Sequence, residues 1–182
     1  MTKLTLGALL GGVLVLAGCS AAPTPPVVES SPPSEMPQPL NIRKFEQDPC
    51  ALLPQVTEVF NAVRNRSTAG ATIPACVWND SKNSSLTIGF VAVPGGLAAA
   101  YQNGSSTGYF ETAPPIGGYP AAFTNVVDNR SEGGCQIAVS VQAEEAFTSS
   151  VVLRPRSPSY GDPCAVAVNA AAAVVATLRA SS

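Results

Sequence analysis

Apolar and polar residues alternate from Ser85 to Val93, with Leu86, Ile88, Phe90 and Ala92 falling on one face. A period of two predicts a half-buried β-strand. The same alternation returns at Cys135, Ile137, Val139 and Val141. Further strands are predicted at Cys76-Val77-Trp78 and over 107–112, 121–127, 134–142 and 147–153. Gly117-Gly118-Tyr119-Pro120 and the run from Asn129 to Gly134 supply turns between them.

The period changes to helical at both ends of this block. Asp48-Pro49-Cys50 sets a capping carboxylate before a proline at the first helical position, the favoured order for a helix start. Leu52, Leu53, Val56, Val59, Phe60 and Val63 then recur at helical spacing, predicting a helix that ends near Arg64–Arg66. Asp162-Pro163-Cys164 repeats the start signal. The inner face of this second helix is expected to be Cys164, Val168, Ala171, Val175 and Leu178. A brief helix is expected from Leu97 to Tyr101, stopped near Asn103-Gly104. The order reads α-β-β-(α)-β-β-β-α with hairpin-length connections. It predicts an α+β fold: an antiparallel sheet of about five strands, with N- and C-terminal helices packed on one side.

The first 47 residues have a different character. Lys3 precedes the apolar stretch Leu4 to Leu16, which is short for a transmembrane helix and closes in small residues as export signals do. Leu16-Ala17-Gly18-Cys19 has the form of a lipobox, so residues 1–18 are read as a lipoprotein signal peptide and Cys19 as the lipidated residue. Residues 20–47 hold seven of the 17 prolines, with Ser, Thr, Gln and Glu. Such chain buries too little apolar surface to offset its ordering entropy, which predicts a lipid-anchored disordered linker over 19–47. A single domain would then occupy 48–182.

Composition narrows the chemistry. Hydrophobic residues are 46% and charged residues only 12% of the 182-residue chain, about half the share usual in soluble domains. The formal net charge is −2, and no basic run exceeds Arg43-Lys44, so no nucleic-acid partner is expected. The chain holds no histidine, which removes Ser-His-Asp and Cys-His catalysis and the commonest metal ligand.

With Cys19 assigned to lipid, Cys50, Cys76, Cys135 and Cys164 remain, an even number that points to two disulfides. The preferred pairing is Cys50–Cys76 with Cys135–Cys164, each joining a terminal helix to a nearby strand. The alternative joins Cys50 to Cys164 and Cys76 to Cys135. Thiols at helix N-termini acquire lowered pKa values, so Cys50 and Cys164 are also redox candidates, although no Cys-x-x-Cys pair exists. The cysteine spacings of 26, 59 and 29 lack the short ligand pairs of structural zinc sites. No metal or cofactor is expected.

Other candidates carry less. Glu144-Glu145 reads as a solvated turn, and Asp48 and Asp162 as caps. Lys44 and Lys82 stand in no Ser-Lys motif. Trp78 reads as core, and Arg154-Pro155-Arg156 as two solvated cations that could grip an anion. Asn-x-Ser sequons at Asn65, Asn79, Asn83, Asn103 and Asn129 mark polar loops.

Several short motifs, taken in order, carry a resemblance. They are the lipobox at Cys19, Asp48-Pro49-Cys50-Ala51-Leu52-Leu53, Cys76-Val77-Trp78, Gly118-Tyr119-Pro120-Ala121, Gly134-Cys135-Gln136-Ile137-Ala138-Val139 and Asp162-Pro163-Cys164. Together they resemble the actinobacterial lipoproteins of the DUF3558 family. A looser likeness is to the small disulfide-bonded sensor domains of mycobacterial receptor kinases. The resemblance implies an exported envelope protein and supplies no catalytic residues. The expected function is a non-enzymatic binding module, lipid-anchored at the extracytoplasmic face of the cell membrane, with an envelope protein, lipid or glycan as partner. The alternatives are a carrier or sensor of a small apolar ligand, its cavity lined by Leu86, Ile88, Phe90 and Val139, and a thiol-redox enzyme.

Overall fold

The computed structural model describes residues 37–92, Leu97 and residues 108–182, all within the second of two units, Glu35–Ser182. The predicted signal peptide, the lipobox, residues 19–36 of the linker and the rest of the helix expected at Leu97 to Tyr101 lie outside the described residues.

Seven strands form one fully antiparallel sheet, rather than the expected five. They are β1 (Ala62–Ser67), β2 (Ala75–Asp80), β3 (Ser85–Ala92), β4 (Tyr109–Ile116), β5 (Tyr119–Asn125), β6 (Gly134–Ser140) and β7 (Glu145–Val152). The spatial order is β1-β2-β3-β7-β6-β5-β4. Two meanders, β1 to β3 and β4 to β7, therefore meet along the β3–β7 ladder, which runs from Ser85 opposite Val152 to Ala92 opposite Glu145. Six of them fall on the six segments predicted above, and the strand without a counterpart is β1. It is an edge strand exposed along nearly its whole length, so it shows no burial period and its polar sequence hides it. At the opposite edge, β4 tolerates Pro114-Pro115 because the register slips between Ala113 and Ile116, and edge strands can lose ladder donors. Gly117 and Gly118, at φ +56° and +85°, form the tight two-residue hairpin loop that needs two left-handed residues.

Period-two patterning decides which face is covered. Leu86, Ile88, Phe147, Val151, Ile137 and Val139 share one face, and each is 1% exposed or less. Across that face lies α2 (Pro163–Ala180), while α1 is the single turn Val56–Val59. Asp162 caps α2 by accepting from the Ala165 N–H at 3.2 Å. Its inner stripe is Ala167, Ala170, Ala171, Val174, Val175 and Leu178. Val168 is only half-buried, so the true stripe sits slightly round the helix from the expected one. The Ser149 hydroxyl, fully buried, donates to the Ala167 carbonyl at 2.8 Å, and small alanines let the helix approach this closely. The helix is long and apolar enough to cross a membrane, but its inner face is packed on the sheet.

The N-terminal helix expected from Cys50 onward does not form. Pro49–Leu52 is one 3-10 turn, Val56–Val59 one α-turn, and the chain enters β1 at Ala62. Pro54 is the physical reason: a proline disfavours helical geometry in the residue before it and lacks the amide a continuing helix needs. Leu53 accordingly leaves the helical region, at φ −132° and ψ 67°. Asp48 precedes the 3-10 turn but makes no side-chain capping bond. The apolar stripe splits as a result: Leu52, Leu53 and Phe60 are buried, whereas Val63 is 63% exposed on the edge strand.

The packed chain also begins before Asp48. Leu40 and Ile42 are buried, Ile42–Phe45 is a 3-10 turn capped by Asn41, and the Leu40 N–H donates to the Val141 carbonyl at 3.1 Å. The expected linker over 19–47 is therefore ordered at its C-terminal end, where two isolated apolar residues suffice to dock it.

Candidate functional site

The four cysteines form Cys50–Cys76 and Cys135–Cys164. Cys76 and Cys135 are buried at the helix-covered face, so each bridge fastens an outer segment to a strand beneath it. The residues expected to line an apolar cavity, Leu86, Ile88, Phe90 and Val139, belong to the packed core together with Trp78.

Two ion-pair clusters are internally compensated. Glu145, expected in a solvated turn, is only 8% exposed. Its carboxylate accepts from Arg43 Nε and, at 3.1 Å, from Gln142 Nε2. The Gln142 amide also donates to the Leu40 carbonyl at 2.9 Å, so this polar group fastens the start of the packed chain. At the other end of the strands, Arg130 pairs with Glu111 at 2.8 Å and Asp128 at 2.7 Å and lies over the Tyr109 ring, 4.5 Å from its centre. The hydrogen bond from Arg130 holds the Asp128 carboxyl below the ordinary carboxylate range, and burial raises the Tyr109 phenol above its ordinary value.

A third group of charges has no such compensation. The antiparallel pairing of β1 with β2 puts Arg64 opposite Asn79. The β2–β3 loop carries Lys82 and Asn83, the latter at φ +62°, and the pairing of β7 with β3 delivers Arg154 and Arg156 just beyond Val152. Three segments distant in sequence thus converge on one spot. Ser81, Lys82, Asn83, Arg154, Pro155 and Arg156 bound a surface depression of about 440 Å³. Lys82 Nζ donates to the Arg156 carbonyl at 2.8 Å, Arg154 Nε to the Asn83 carbonyl at 3.2 Å, and Arg64 Nη2 to Asn83 Oδ1 at 2.9 Å. These bonds fix the stems while leaving further N–H donors on each head. The neighbouring carboxylate, Asp80, turns Oδ1 to the backbone N–H groups of Lys82 and Ser84, both at 2.8 Å. Among the described residues, carboxylate ion pairs involve only Arg43 and Arg130.

Arg66 lies farther along β1, on the same face as Arg64. Arg64, Arg66, Lys82, Arg154 and Arg156 are half of the ten basic residues of a chain with net charge −2. Arg154 and Arg156 stand out in the sequence without their partners, because only strand pairing brings Lys82 and Arg64 to them.

Register also gives the site a direction. The start of the packed chain is bound at the β6–β7 hairpin through Leu40 and Gln142, and the Tyr119 hydroxyl donates to the Gln38 carbonyl at 2.7 Å. Glu145 marks that end of the β3–β7 ladder and Val152 the other. At about 3.4 Å per residue, the basic depression lies roughly 24 Å along the strands from the point of entry.

A family model described as "Protein of unknown function (DUF3558)" matches residues 14–177. Its span starts ahead of Cys19 and runs nearly to the end of the C-terminal helix. No curated protein and no solved structure matches the chain.

Proposed function

The chain belongs to the DUF3558 family, and from that premise we propose that it is a lipid-anchored, non-enzymatic interaction module of the cell envelope. In this reading residues 1–18 are the signal peptide and Cys19 carries the acyl chains, more than one being needed for stable anchoring. The remaining linker reaches to about residue 37 and sets the domain off the extracytoplasmic face of the membrane. The family match supports the reading by including the lipobox and the domain in one span.

The observation that carries it is the placement of entry and charge at opposite ends of the sheet. The packed chain starts at the β6–β7 hairpin, so the segment leading in from the linker does not cover the basic depression at the other end of the strands. The disulfides serve as staples here, joining outer segments to strands, and the domain acts by binding.

Metabolic labelling with a clickable palmitate analogue tests the anchor. The expected result is label on the wild-type chain, none on Cys19→Ser, and release of that variant from the membrane fraction. An unlabelled wild-type chain with free thiols in the cytosol would overturn the proposal.

A further inference from the structure

We infer that the depression bounded by Lys82, Arg154 and Arg156 is a binding site for phosphate groups carried on an envelope polymer. The inference rests on the tethered-module reading for where the ligand lies, and on the site itself for what the ligand is. Three cations border one pocket of about 440 Å³, with Arg64 held against its rim by Asn83. A single carboxylate would neutralise one of them. Phosphate oxygens spread charge over several acceptors and match the planar fork of arginine, which grips them bidentately.

Arg154 is pre-positioned: its Nε is engaged by the Asn83 carbonyl, leaving its terminal nitrogens for an anion. The contrast with Arg130 is instructive. Arg130 has two carboxylate partners and an aromatic ring beneath it, and each of its three nitrogens already donates to a carboxylate. At physiological ionic strength charges are screened over about 8 Å. The cluster therefore acts on a ligand that enters the depression, not on distant charge. An anionic lipid headgroup offers the same phosphate chemistry. Arg64 and Arg66 continue the row of cations along one face of β1 beyond the depression, which suits phosphates repeated along a chain, so the polymer is the favoured source.

The test uses the full-length acylated protein in neutral detergent, with long-chain polyphosphate as probe, polygalacturonate as a carboxylate polymer and phosphatidylglycerol vesicles as the membrane arm. Polyphosphate is expected to bind in a salt-sensitive manner. Binding should weaken about tenfold or more in the Lys82→Gln, Arg156→Gln double variant, the equivalent of losing a charge-assisted hydrogen bond. Lys44→Gln, near the entry end, should bind as wild type, and all three proteins should share one unfolding midpoint. Undiminished binding by the double variant, or no polyphosphate binding at all, would overturn the inference. Equal affinity for polygalacturonate would overturn the phosphate assignment, and tighter binding to the vesicles would overturn the polymer. None of these outcomes touches Cys19 acylation, so the tether stands or falls on its own experiment.

Discussion

Replacing Cys135 and Cys164 together with alanine removes the bridge between β6 and α2 without leaving a free thiol. The two residues are 29 apart, and loop-closure entropy for that span amounts to about 3.6 kcal/mol at 25 °C. Cys135 is 1% exposed, so packing lost around its sulfur adds to this figure. A domain of this size has a total stability of about 5–15 kcal/mol, so the variant should still fold, with a urea midpoint lower by about 2 M. Trp78, the only tryptophan, is 2% exposed and sits on β2. It belongs to the other meander, so its fluorescence reads the collapse of the whole sheet rather than local loosening of the helix. The bridge between Cys50 and Cys76 spans 26 residues, which gives about 3.5 kcal/mol by the same relation, so the two double variants should be nearly equal. A Trp78 transition unmoved by the loss of Cys135 and Cys164, with helical circular dichroism lost earlier, would refute the reasoning. It would mean that the bridge secures only the helix and that the two meanders do not unfold as one.

Two further predictions follow from particular residues. Gly133 sits at φ +79°, and an added Cβ would lie 2.6 Å from the Leu153 carbonyl oxygen and from the Tyr160 ring; Gly133→Ala should cost at least about 2 kcal/mol, read as a lowered thermal midpoint. Burial raises the folded-state pKa of Tyr109, so its contribution to stability is complete at neutral pH and declines as alkali ionises the unfolded phenol first; stability of the wild type should fall more steeply above about pH 10 than that of Tyr109→Phe.

The parts of this fold that were readable in sequence are those where burial imposes a period. Cys135, Ile137 and Val139 alternate because one face of β6 meets α2, and Asp162-Pro163 marks a start that the helix uses. What could not be read fails for identifiable reasons. Spacings of three and four in Leu52 to Val63 are shared by a helix and by a succession of tight turns, and Pro54 decides between them. The polar β1 is defined by its pairing with β2 and not by its own pattern. Glu145 looked solvated because its partner Arg43 is remote in sequence, in a stretch rich in proline. The basic depression was hidden for the same reason: Arg64, Lys82 and Arg154 are neighbours only through strand register, which no local window contains.

The bridges join first cysteine to second and third to fourth along the domain, each tying an outer segment to a strand of one meander. Threaded through any pore with its N-terminus leading, the chain presents Cys50 and Cys76 to each other before Cys135 has emerged, and Cys135 next meets only Cys164. Correct oxidation then follows from the order of arrival, and the polypeptide has little need of an enzyme to reshuffle mistaken crosslinks.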